Sequence, residues 1–196
     1  MAARAGVSVF VPLTLLTVTG HLDWSAFAAF GAFTSLYGRA APHAERTALQ
    51  MTVAGVLVMA VTLGCAVGLL PHHQWWLIAA GALVAAAASL LSDAFRWHPP
   101  GPLFVVFAFT VCATLPAAAS NVAVGFFVSA ASAAFSVLIG RVGLLRETGE
   151  RRWIPLPRAR IREAWQAEGT RVHLARFVIA VGAAGVVGKL IGTQYG

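Results

Sequence analysis

Charge is nearly absent from seven stretches of this chain and crowded into the gaps between them, which few folds tolerate. The stretches are residues 5–19, 24–37, 47–70, 75–91, 103–115, 122–145 and 174–191. A bilayer core about 30 Å thick is crossed by about 20 apolar residues at about 1.5 Å each, so these lengths fit membrane helices or shortened ones. Composition agrees: 59% of the residues are hydrophobic and 11% charged. An ordinary soluble domain carries about 25% charged residues and needs them to cover its surface. A conventional soluble enzyme, a disordered regulator and a disulfide-stapled secreted domain are therefore excluded. The net charge of +7 sits between apolar segments and forms no independent basic domain, so nucleic acid is not the expected partner.

The gaps also carry a direction. Numbered alternately, one set receives Arg4, Arg39, Arg46 and Arg96, then every arginine from Arg141 to Arg176. The other set, residues 20–23, 71–74 and 116–121, contains no Lys or Arg. Positive loops stay inside, which places the N-terminus and the first set in the cytoplasm. Lys189, near the outer end of the last segment, is the one cation outside the pattern. The expected fold class is thus all-α: a polytopic transmembrane bundle of six helices plus a seventh terminal helix. Its domains are residues 1–145, an Arg-rich cytoplasmic linker at 146–173, and a last helix at 174–196. A signal peptide is the rival for the first twenty residues, but Val18-Thr19-Gly20 is a poor cleavage site. Within the linker, Ile161, Ala164 and Trp165 share one helical face, and Arg158 and Arg162 another. This reads either as a helix on the inner leaflet near anionic lipid or as a solvated connector that fixes topology.

The first and last segments look alike. Arg4 precedes Gly20 by the spacing that separates Arg176 from Gly192. Six crossings return the chain to its starting side, so a second copy would run parallel to the first. Residues His21-Leu22-Asp23-Trp24-Ser25-Ala26-Phe27 lead into a short helix. The loop from Tyr37-Gly38-Arg39 to Glu45-Arg46 follows, then a helix bearing Gly55, Gly64 and Gly68, and the turn His73-Gln74-Trp75-Trp76. In these features the chain resembles the fusaric acid resistance protein-like (FUSC) integral membrane transporters, over about residues 4–145. The resemblance implies two six-helix halves and efflux of aromatic and other organic acids. It implies that this chain covers one half and the first helix of the next, with a second half or another protomer needed as partner.

Candidate path residues follow from irregularity and polarity at membrane depth. Asp23, with Trp24, heads a segment too short to span comfortably; its carboxylate is a possible coupling site, or an ordinary interfacial cap. Pro12 removes a helical hydrogen bond that Thr14, Thr17 or Thr19 can replace, so a kink or unwound stretch is expected and residues 11–33 are the expected path lining, Thr17, Trp24 and Phe27 included. Ser129, Ser132, Ser136 and Gly140 share a helical face, as a close-packing surface or as the wall of a polar cavity through Ser132 and Ser136. The six histidines lie in loops without ligand spacing, so no metal or other cofactor is expected. Cys65 and Cys112 lie far apart in apolar runs and read as small hydrophobes. No nucleophile, paired carboxylates or phosphate loop marks an enzyme. The expected function is an efflux transporter, or half of one, for small organic anions; the alternative is a structural or assembly membrane protein. The Arg-for-Lys and Ala bias fits a GC-rich bacterial genome, and the expected location of the multi-pass bundle is the bacterial inner membrane.

Overall fold

The computed structural model describes residues 2–38, 43–71, 73–141 and 157–192. Among these the secondary structure is helical throughout. The helices are α1 (Ala2–Val18), α2 (Ser25–Ala32), α3 (His43–Gly68), α4 (His73–Phe95), α5 (Leu103–Thr114), α6 (Ser120–Arg141), α7 (Pro157–Gln166) and α8 (Thr170–Gly192). Each expected apolar segment contains a helix, and the linker contains α7. Residues 142–145 of the expected sixth segment, 146–156 of the expected linker and 193–196 at the chain end lie outside the described residues.

Length separates these helices into two groups. Arg46–Gly68, Gln74–Phe95, Ser120–Arg141 and Thr170–Gly192 are each long and apolar enough to cross a membrane. The protein is therefore a multi-pass membrane protein in contact with lipid. Helix α1 reaches about 25 Å, α5 about 18 Å and α2 about 12 Å at 1.5 Å per residue, all short of the hydrocarbon core. The second apolar segment is broken up: tight turns at Leu22–Trp24 and Phe33–Leu36 bracket α2. Helix α1, by contrast, runs unbroken through Pro12. The hydroxyls of Thr17 and Thr19 donate to Leu13 O (2.9 Å) and Leu15 O (2.8 Å) on their own helix.

Helix α3 sits at the centre, packed on α5 and α6; α2 lies against α6, α1 against α2 and α6, and α4 against α5, α7 and α8. Phe27, Val53, Leu57, Val61, Phe109 and Cys112 make the core. Small residues allow the close approaches. A Cβ at Gly31 of α2 would strike Ser129 O of α6, and one at Gly64 of α3 would strike Phe109 O of α5. At the Arg-bearing end the loop after α4 tucks Trp97 inside, edge-on to Tyr37 with ring centroids 5.6 Å apart.

Candidate anion cavity

The polar residues of the sequence reading fall in three places. Thr17 and Asp23 are exposed at the end of α1 and in the turn before α2, where His21 and Trp24 stack with centroids 4.2 Å apart. No side-chain hydrogen bond caps this turn or α2. Phe27 is in the core. Ser132 and Ser136 lie in the α2–α6 contact, donating to Ala28 O at 2.7 Å and Ala32 O at 3.3 Å. Ser129 donates within its own helix to Gly125 O at 2.6 Å. The serine face thus ties two helices together through backbone carbonyls that a neighbouring helix leaves partly available, a recurrent use of Ser in membrane bundles.

The seam ends at a cavity where four elements converge at the Arg-bearing end. Arg4, Ala5 and Ser8 come from α1, Ser35 and Tyr37 from the segment after α2, Arg46 and Gln50 from α3, and Ser136, Ile139 and Gly140 from α6. Its volume is about 40 Å³, room for about three or four water-sized groups at about 10–15 Å³ each.

Local chemistry explains how these side chains arrive. Gly38 adopts φ 73°, a left-handed conformation that glycine takes without a Cβ penalty. The resulting bend brings Gly38 O within 3.0 Å of Arg46 Nε and leaves the aliphatic stem of Arg46 lying over the glycine. Gln50, one helical turn on, donates to Tyr37 O at 3.3 Å. Arg4 reaches across to Gly140 O at 3.4 Å. A Cβ at Gly140 would sit 2.6 Å from Gln50 Oε1, so the glycine makes space for the amide. Arg46 is 7% exposed and Gln50 4%, an expensive depth for a guanidinium unless its hydrogen bonds are met.

Two further properties fit an anion. The described lining residues include two arginines and neither Asp nor Glu. Among the described residues, the hydroxyls of Ser8, Ser35 and Tyr37 are buried without a hydrogen-bond partner. Each such group costs about 1–3 kcal/mol until something accepts or donates to it. Clustered O–H donors beside guanidinium groups suit a carboxylate or a similar small anion. The enclosed space suits the head group of such an anion.

In the sequence, Arg4 marks topology and the internal repeat, and Tyr37 and Arg46 belong to the loop that carries the family resemblance; Ser8 and Gln50 were not singled out. The available signal was Gln50, the one side-chain amide in the third apolar segment. Among the described residues no three His, Cys, Asp or Glu side chains gather as metal ligands do. Cys65 and Cys112, distant in sequence, lie buried within hydrogen-bonding reach of each other between α3 and α5.

Over 116 residues, 59% of its length, the chain is 29% identical to a Bacillus subtilis (strain 168) protein described as the uncharacterized membrane protein YvaC. The match covers 18% of that protein, so the chain spans a small part of the relative's length. No protein-family model and no solved structure matches the chain.

Proposed function

We propose that this chain forms the transmembrane half of a transporter that moves small organic anions, aromatic acids among them, out of a bacterial cell. In this reading the first six apolar segments all enter the membrane, the N-terminus is cytoplasmic, and α8 begins a second half. The short elements α1, α2 and α5 are then the broken or partial helices that transporters place around a binding site. The observation that carries the proposal is the cavity between α1, α3 and α6. It combines Arg4 and Arg46 with three buried hydroxyls at the face where an outward-bound anion enters. Its small size fits a carboxylate head, with the body of the substrate held toward the second half of this reading. Asp23, at the opposite end of α1, remains the coupling carboxylate of this reading, with Thr17 and Trp24 near the exit.

The test is accumulation of labelled benzoate-type acids in cells lacking or expressing the complete gene, with Arg46→Gln and Arg4→Gln variants. Lower accumulation with the gene, lost in Arg46→Gln at equal protein level, supports transport. Equal accumulation across a panel of acids refutes it. A second reading, a structural or assembly protein, draws on Ser132 and Ser136, whose hydroxyls are engaged in helix packing. That reading expects no acid to move, and expects deletion of the gene to mislocalise a partner.

A further inference from the structure

We infer that the elbow formed by α7 and the first turns of α8 binds the headgroups of anionic lipid. This goes beyond the transport reading and does not depend on it. The elbow exists because Gly169, at φ 88°, turns the chain sharply between the two helices. Its inner side is fixed to the bundle. Arg160 lies over the Phe95 ring at the end of α4, 6.0 Å from the centroid, and Thr170 and Leu174 are buried.

The outer side is uncovered and mixed in character. Trp165 is 47% exposed, and Arg171 stacks over it at 5.7 Å. Arg162 and Arg176 are exposed as well. The elbow's sequence carries five arginines (158, 160, 162, 171 and 176) against two acids, Glu163 and Glu168, so it is net positive. A half-exposed Trp flanked by arginines suits the boundary between headgroups and acyl chains, where the ring is part apolar and part wet.

Helix α8 fixes the depth. Its apolar run begins directly after Arg176, and its other end is marked by Lys189, whose Nζ sits 3.6 Å from the Trp75 ring centroid. The two cations are thirteen positions apart, about 20 Å along the helix. Both must extend toward opposite membrane surfaces to leave the hydrocarbon. Arg171 and Arg176 therefore reach the phosphate level, and α7 is held at that surface by Phe95. Charge complementarity selects phosphatidylglycerol-type lipid over zwitterionic lipid, because a phosphate diester there keeps a net negative charge that choline or ethanolamine cancels.

The test uses the purified full chain in nanodiscs of brominated phosphatidylcholine or brominated phosphatidylglycerol, the Trp165 signal being the difference from Trp165→Phe. The expected result is stronger quenching by brominated phosphatidylglycerol, with apparent affinity falling roughly 5-fold per arginine removed in Arg162→Gln and Arg171→Gln. The pair Arg162→Lys/Arg171→Lys is expected to keep most of the preference, which separates loss of charge from loss of fold. Equal quenching by the two lipids, an unchanged preference in the Gln variants, or abolition of the preference by inorganic phosphate at constant ionic strength overturns the inference.

Discussion

Gly31→Ala isolates the contact between α2 and α6. In a helix interior Ala is favoured over Gly by about 1 kcal/mol, so an unhindered site gains by the change. At Gly31 the new methyl strikes Ser129 O and comes within 2.9 Å of Ser132 Cβ. Backbone and Cβ atoms cannot rotate away, so the two helices must separate. Overpacking of this kind costs about 1–3 kcal/mol. Separation also stretches the Ser132-to-Ala28 hydrogen bond, worth about 0.6 kcal/mol between membrane helices. With the propensity gain subtracted, the net loss is about 2 kcal/mol. Gly55→Ala is the control: a Cβ there meets nothing within 4 Å, and stability should rise by up to about 1 kcal/mol. Unfolding in mixed detergent and SDS, followed by helicity, reads both. A Gly31→Ala protein at least as stable as wild type refutes the proposed α2–α6 interface.

Other perturbations separate the remaining contacts. Ser132→Ala should cost about 0.6 kcal/mol in the same unfolding measurement, since Ala28 O keeps its place in the helix ladder. Mild oxidation with copper phenanthroline should join Cys65 to Cys112, seen as a mass loss of two hydrogens in the α3–α5 peptide pair and absent in Cys112→Ala. In a protein with both native cysteines replaced by Ala, a single cysteine at Asn121 should label with a membrane-impermeant maleimide from outside intact cells. One at Arg96 should label only after lysis; the reverse pattern inverts the topology. Gly185→Leu should loosen α8 from α4, because Ile78 Cγ1 already lies 2.7 Å from where its Cβ would be. The cost is expected at about 1–3 kcal/mol.

The class of this protein was written in its sequence because membrane insertion is decided residue by residue. Segments such as 47–70 and 122–145 satisfy the bilayer by their own apolarity, and the described part of each lies in a long helix without needing a neighbour to explain it. Even the face of α6 that bears Ser132 and Ser136 was legible, since spacings of three and four residues share a side of any helix. What that face does was not legible. Whether a serine lines a path or grips another backbone depends on how near α2 comes, and Gly31 sets that distance through a residue a hundred positions away. The same holds for the continuity of α1 through Pro12 and for the facing of Cys65 and Cys112. The cavity is the clearest case. Arg4, Ser8, Tyr37, Arg46 and Gln50 come from three separate stretches of chain, and each alone reads as a topology marker or a stray polar residue. They become a site because the left-handed turn at Gly38 folds one stretch back onto α3 while α1 and α6 close the sides. Apolar length is a local property that composition determines; convergence is a property of packing, and tertiary structure alone decided it.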